Sequence, residues 1–224
     1  MIADRSRRIV GECLGTALLL AAVVGSGIMA EKLSGGNTGL ALLANSLATG
    51  AALYVLITIF GPISGAHFNP AVTLVMRLQQ RISSRDAALY MCAQISGGIA
   101  GVLIAHVMFD LTVLQTSATA RNGAGQWTAE AVAAFGLILT ILGAGRFAAD
   151  KVAISIALYI VSAYWFTAST SFANPAVTIA RSFTNTFAGI APADVFAFIA
   201  AQIAGALLGL IAGRWLFETG SAKV

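Results

Sequence analysis

The phrase Asn69-Pro70-Ala71-Val72-Thr73 returns later in the chain as Asn174-Pro175-Ala176-Val177-Thr178, and each copy lies beside apolar stretches of near-membrane-spanning length. Proline opens helices and breaks them when it falls inside, while the residue before it is held extended. Two helix starts in corresponding halves of an apolar chain therefore point to broken helices that meet at the bilayer midplane.

The bulk of the sequence agrees with a membrane setting. Of 224 residues, 58% are hydrophobic and 10% charged, against about 25% charged in an ordinary soluble domain. Apolar runs near 20 residues mark transmembrane helices, and six are predicted, over 9–29, 40–60, 85–109, 127–145, 152–168 and 194–217. The first run follows Arg5, Arg7 and Arg8 like a signal peptide, but Glu12 sits inside it and a counterpart follows later, so it is expected to be retained. With both termini cytoplasmic, the inner side carries Arg5, Arg7, Arg8, Arg77, Arg81, Arg85, Arg146, Lys151, Arg214 and Lys223. The outer side then has only Lys32, Arg121 and Arg181. Ten against three satisfies the positive-inside rule for a multi-pass protein of the cell membrane. The net charge of +4 thus reports topology and gives no reason to expect nucleic acid. Cys13 and Cys92 fall inside spans and read as packing residues, without a disulfide or a metal site.

The second half repeats the first in order. Glu12 corresponds to Glu130, the two Asn-Pro phrases follow spans two and five, and Ala93-Gln94-Ile95-Ser96-Gly97 is answered by Ala201-Gln202-Ile203-Ala204-Gly205. Three spans per half is an odd number, so the halves enter the membrane from opposite faces as an inverted repeat. One channel domain over 1–224 is expected, with halves 1–115 and 125–224 joined by the polar stretch from Leu111 to Gln126. Val72–Leu78 and Val177–Phe183 are too short to span, so they read as half-helices on re-entrant loops. Such backbone survives at membrane depth only against protein or a wet cavity. The fold class is therefore an all-α membrane protein with six transmembrane helices and two re-entrant half-helices. Glycines at 97 and 101, and at 205, 209 and 213, make small-residue stripes suited to close helix contact.

Pro70 and Pro175 start the half-helices, with Ala71 and Ala176 in their first turns, and Asn69 and Asn174 cap them, leaving side-chain amide hydrogens for a solute. Each half-helix presents about half a positive charge at its N-terminus. A cation meets an unfavourable potential there, whereas a neutral hydroxylated molecule finds two amide donors. Glu12 and Glu130 are charges inside spans, which are expensive and seldom idle. Their symmetric placement suits the bracing of the two loops, with proton carriage as the alternative. His67 either braces its loop or lines the pore, and pH gating is the weaker reading for want of a second titrating partner. His106 reads as a helix-end or packing residue.

Gly11-Glu12-Cys13-Leu14-Gly15-Thr16, Ser64-Gly65-Ala66-His67-Phe68-Asn69-Pro70-Ala71-Val72-Thr73, the second Asn-Pro-Ala motif and the Ala-Gln-Ile repeats resemble the major intrinsic protein family, the aquaporins and aquaglyceroporins. The resemblance runs through essentially the whole chain. It implies one pore per subunit, usually a homotetramer, Asn69 and Asn174 as central pore donors, and no cofactor. It also implies an outer constriction. Counted from the motifs without a gap, its positions fall on Thr49, Ser162, Ser171 and Val177. The family usually places an aromatic ring where Thr49 stands, His in water-selective members where Ser162 stands, and almost always Arg where Val177 stands. Ser171 is expected to contribute through its backbone carbonyl.

Replacing a ring, an imidazole and a guanidinium by small hydroxyls and a valine widens the expected aperture and removes a fixed positive charge. Arg181 lies one helical turn beyond Val177, where it either returns that charge to the outer vestibule or bonds loop carbonyls. The expected function is a passive channel for water and small uncharged solutes such as glycerol, boric acid and trihydroxy arsenic(III), extending to methylated arsenicals. Similarity to bacterial members associated with arsenic handling suggests the arsenicals. The alternatives are a mainly water-conducting pore, a proton-coupled transporter and, more remotely, an ion channel. An enzyme is not expected, since no nucleophile has a plausible base and no ligand cluster stands out.

Overall fold

The computed structural model describes residues 4–217; Lys223, assigned above to the inner side, lies outside them. Among the described residues eight α-helices form: α1 (Arg5–Leu33), α2 (Thr38–Ser64), α3 (Pro70–Leu78), α4 (Ser84–Met108), α5 (Ala124–Phe147), α6 (Val152–Phe166), α7 (Pro175–Arg181) and α8 (Pro192–Phe217), with a 3₁₀ turn at Ala149–Lys151 before α6. Six of them are long and apolar enough to cross a membrane, α6 together with its 3₁₀ turn. This is the predicted all-helical class, and among the described residues no strand occurs.

Several helices outrun their apolar windows because capping residues lie in the polar flanks. The Asp4 carboxylate accepts from Arg7 N (2.8 Å), the Asn37 side chain from Leu40 N (3.0 Å) and Ser83 Oγ from Asp86 N (3.0 Å), each filling an otherwise unpaired donor of a first turn. The α2 helix continues through Pro62 to Ser64 and stops at Gly65, whose φ of 89° is open to glycine. The half-helices begin at their prolines. The second ends at Arg181, two residues short of the predicted Phe183, with Ser182 as its C-cap.

Each half packs three long helices in the same way: α1 against α2 and α4, then α5 against α6 and α8. Within each half the first and third of these meet at glycines. A Cβ at Gly97 or Gly101 would strike the α1 carbonyls of Cys13 and Ala17, and one at Gly205 or Gly209 those of Ala131 and Phe135 on α5. Only glycine lets backbones approach this closely. The short helices α3 and α7 are both wedged against α4 and α8. Val10, Leu14 and Leu18 on α1 and Leu208, Ile211 and Trp215 on α8 face outward, whereas Glu12, Gln94, Glu130 and Gln202 are fully buried. Polar groups concentrated inside and apolar ones outside suit a chain whose solvent is lipid.

At one end of the bundle Arg5 pairs with Asp86 (2.8 Å) and Arg214 donates to the Leu78 carbonyl (3.0 Å). These contacts draw the starts of α1 and α4 together with the ends of α3 and α8. At the other end the 109–123 loop lies against the 182–191 segment through Ser117 N to Ser182 O (3.0 Å) and Ala191 N to Thr119 O (2.7 Å). His106 clamps this end with both ring nitrogens, one to the Val113 carbonyl and one to Thr184 Oγ1, each at 2.8 Å.

A candidate pore

The two half-helices meet head to head through their caps. Asn69 Oδ1 accepts from Ala71 N (2.8 Å), and Asn174 Oδ1 from Ala176 N (2.9 Å) and Val177 N (3.3 Å). Asn69 Nδ2 donates to the Ala173 carbonyl and Asn174 Nδ2 to the Phe68 carbonyl, both at 2.8 Å. Each amide therefore ties one of its hydrogens to the opposite loop. One hydrogen per asparagine remains for a solute, so the pair still offers two amide donors.

The loops that deliver these caps depend on backbone conformations rare for side-chain-bearing residues. Ala66 and Phe68 in the first, and Thr170, Ser171 and Ala173 in the second, have φ between 48° and 60°. Left-handed residues of this kind cost on the order of 1–2 kcal/mol each, and the glutamates offset that cost. Glu12 accepts from Ser64 Oγ (2.6 Å), His67 N (3.0 Å), Phe68 N (2.7 Å) and Gln94 Nε2 (2.7 Å). Glu130 accepts from Phe172 N (2.9 Å), Ala173 N (2.8 Å) and Gln202 Nε2 (2.5 Å). The glutamines reach on to the hydroxyls of Thr73 and Thr178, at 2.9 and 2.8 Å, so brace and half-helix form one network in each half.

A cavity of about 420 Å³ runs past both asparagines, from Arg8 and Arg81 at one end to Thr49, Tyr164 and Arg181 at the other. His67 lines it, with Nδ1 3.1 Å from Thr73 Oγ1 and its ring edge-to-face on Tyr90. Tyr90 in turn accepts from Arg8 Nε (2.9 Å) and donates to the Ser64 carbonyl (2.8 Å). His67 thus both braces its loop and lines the cavity.

Thr49, Ser171 and Val177 all border the cavity. Ser162 does not. It is exposed on the outer face of α6, its hydroxyl turned back to the Tyr159 carbonyl (2.7 Å). Ile156, Ile160 and Tyr164 form the inward stripe instead, and a residue two places from any of them is rotated about 200° round the helix. Tyr164, absent from the expected set, sets its hydroxyl 3.3 Å from Thr49 Oγ1. Its periodicity with Ile156 and Ile160 was the available signal. Beside Thr49 the cavity therefore does carry an aromatic ring, brought by α6 and not by α2.

Arg181 lines the cavity, and its Nε donates to the Ala188 carbonyl. The guanidinium carbon lies 3.4 Å from the ring centroid of Phe172, and that of Arg121 lies 5.0 Å from the same centroid. Arg121 is held by the carbonyls of Gly189 (2.8 Å) and Ser169 (3.2 Å), and burial draws its pKa below the ordinary arginine value while Glu130 opposes the shift. Neither guanidinium has a carboxylate within ion-pair distance among the described residues.

Comparison with known proteins agrees with this architecture. The family model described as Major intrinsic protein matches residues 2–151. The chain is 57% identical over 215 residues to aquaglyceroporin AqpS of Rhizobium meliloti (strain 1021), covering 96% of this chain and 92% of that one. It is 33% identical over 224 residues to glycerol uptake facilitator protein-like 6 of Lactiplantibacillus plantarum (strain ATCC BAA-793 / NCIMB 8826 / WCFS1), covering 93% and 97%. The aquaglyceroporin of Plasmodium falciparum shares the fold, with a TM-score of 0.71 at 20% identity over 96% of this chain and 97% of that one. The protein belongs to the major intrinsic protein family of membrane channels.

Proposed function

We propose that this protein is a passive channel of the cell membrane for water and small uncharged polyhydroxy solutes: glycerol, boric acid, trihydroxy arsenic(III) and methylated arsenicals. The observation that carries this reading is Val177, buried at the outer constriction beside Thr49 and Ser171 with no guanidinium among them. An aliphatic side chain gives the carbon or heavy-atom face of such a solute a surface to slide along, while its hydroxyls bond elsewhere in the ring. The widening rests on Thr49 and Val177 alone, because the Tyr164 ring occupies space that Ser162 was expected to leave open. Asn69 and Asn174 then present one free amide hydrogen each at the centre.

Both termini are cytoplasmic in this reading, which the clustering of Arg5, Arg8, Arg77, Arg85 and Arg214 at one end supports. The family resemblance implies a homotetramer. A proton-coupled transporter is disfavoured because the buried carboxylates are already taken up in loop bracing. A mainly water-conducting pore is the second reading, favoured by the bond between Thr49 and Tyr164 that narrows the outer end.

Stopped-flow light scattering on proteoliposomes separates the two. Fast glycerol and arsenite entry that collapses in Val177→Arg while water flux survives is the expected result. Water flux with no entry of any three-carbon polyol would sink the wide-channel reading.

A further inference from the structure

The turn that joins α3 to α4 leaves an open cleft of about 550 Å³, lined by Arg77, Gln80, Arg81, Ile82, Ser83 and Ser84. It lies at the end of the bundle that carries Arg5 and Arg214. Every polar side chain in the lining can donate a hydrogen bond, and no carboxylate is among them. The chain goes against local preference to put them there. Arg81 N donates to the Met76 carbonyl and Gln80 N to the Arg77 carbonyl, both at 2.9 Å, the pair of bonds that closes a helix over a left-handed residue. Glycine usually takes that left-handed place, and an apolar residue often follows it. Here they are Gln80, with φ of 59°, and the exposed Arg81. Ile82, buried in the core, then pins the turn. Arg77 Nε donates to Ser84 Oγ (2.7 Å), which fixes the guanidinium and uses one of its five donors.

Positive charge is left over at this turn. Asp86, the one acid in the first turn of α4, is already taken by Arg5 at 2.8 Å, with Arg8 at 3.9 Å. Among the described residues Arg77, Arg81 and Arg85 form no ion pair. Apolar surface lies next to them. Leu78 is exposed, and Arg214 holds the end of α8 to the Leu78 carbonyl (3.0 Å), with Trp215 and Leu216 exposed in the same turn of α8. Tryptophan favours the headgroup level of a membrane. We propose that this cleft binds the phosphate of an anionic phospholipid headgroup, with Arg77 and Arg81 as its charged donors and Gln80, Ser83 and Ser84 as its neutral ones. Guanidinium groups meet phosphate oxygens two at a time, and basic pockets beside membrane-spanning helices suit such headgroups. A free phosphate matches the same donors, but the exposed apolar residues beside the cleft favour a ligand with acyl chains. Arg81 also borders the central cavity, so the bound headgroup sits at the rim of the pore. The site does not depend on which solute the pore passes.

The unfolding temperature of the protein in neutral detergent, followed by tryptophan fluorescence, tests the site. Phosphatidylglycerol, phosphatidylcholine or inorganic phosphate is titrated at constant ionic strength, and a ligand held by the folded form raises that temperature. Wild type is compared with Arg77→Gln, Arg81→Gln and Arg146→Gln, each of which removes one charge. Arg146, on α5, is exposed and outside the cleft lining. Phosphatidylglycerol is expected to stabilise wild type and Arg146→Gln with half-maximal concentrations within two-fold of each other, and phosphatidylcholine to stabilise neither. Arg77→Gln and Arg81→Gln are expected to need about ten-fold more, the effect of losing one charge-assisted hydrogen bond. A requirement that rises as much in Arg146→Gln as in Arg81→Gln shows attraction to net charge alone and overturns the site. No shift with either phosphatidylglycerol or phosphate overturns it as well. Inorganic phosphate giving the arginine-dependent shift where phosphatidylglycerol gives none overturns the headgroup and leaves a cleft for free phosphate. If loss of the Ser84 bond unfolds Arg77→Gln, Arg81→Gln decides, because the Arg81 side chain is exposed and in no ion pair among the described residues.

Discussion

Glu12 accepts four hydrogen bonds and Glu130 three, and four of the seven come from loop backbone N–H groups, which must find a partner within the protein at membrane depth. A carboxylate is needed because the donors arrive at both of its oxygens. An amide in its place would present its own N–H₂ to a backbone N–H. Glu130→Gln should therefore leave at least one of Phe172 N and Ala173 N unpaired, a loss of about 1–3 kcal/mol, and let the second loop relax out of its left-handed backbone. The expected outcome is a lower unfolding temperature in detergent together with reduced solute and water flux. Glu12→Ala, which strands four donors, should be worse and fail to give a monodisperse peak on size exclusion. A Glu130→Gln protein with wild-type stability and flux would show that the bracing is dispensable.

At the scale of the helix, the glycine contacts decide how closely each half closes. A side chain at Gly205 meets the Ala131 backbone, which cannot move aside as a flexible side chain would. Gly205→Val is expected to force α8 off α5 and destabilise by about 1–3 kcal/mol or more. Gly61→Ala on α2, with nothing within 4 Å of its added Cβ, should be neutral or gain up to ~1 kcal/mol; thermal unfolding of both variants in detergent checks the contrast. These stripes, the half-helix starts and the paired glutamates were legible in the sequence because the inverted repeat writes each of them twice, at matching places. The α6 contribution to the constriction was not. Counting back from Asn174 to Ser162 assumes a fixed link between α6 and α7, and that link (167–174) is irregular, with three left-handed residues. An error of two residues is harmless in a loop but turns a helix to its opposite face, so Ser162 and Tyr164 exchange roles. The cross-bonding of Asn69 to Ala173 and Asn174 to Phe68 was equally hidden, since it joins loops about a hundred residues apart.

For the molecule as a whole, the question is what opposes cation entry into a pore without arginine at position 177. Two half-helix N-termini place about half a positive charge each at the centre. At the Thr49 end of the cavity Arg181 borders the lumen and Arg121 stands behind the same Phe172 ring, and among the described residues neither guanidinium forms an ion pair. A cation entering from outside meets these guanidiniums before it reaches the asparagines. At an effective dielectric constant near 20 and a separation of several ångströms, one unit charge raises its energy on the order of 2–4 kcal/mol. Burial keeps salt from screening much of this. Arg181→Gln should therefore raise potassium leak into proteoliposomes by ten-fold or more while glycerol flux changes little, and Arg181→Lys should restore the wild-type barrier. The lysine variant matters because glutamine also removes the bond to Ala188 and loosens the loop. Leak that rises equally in both variants would assign the effect to loop order, and leak that rises in neither would leave the half-helix dipoles as the whole barrier. With Lys intact and Gln leaky, the charge missing from position 177 has been moved one turn outward on α7. There it repels cations without narrowing the ring through which the solute passes.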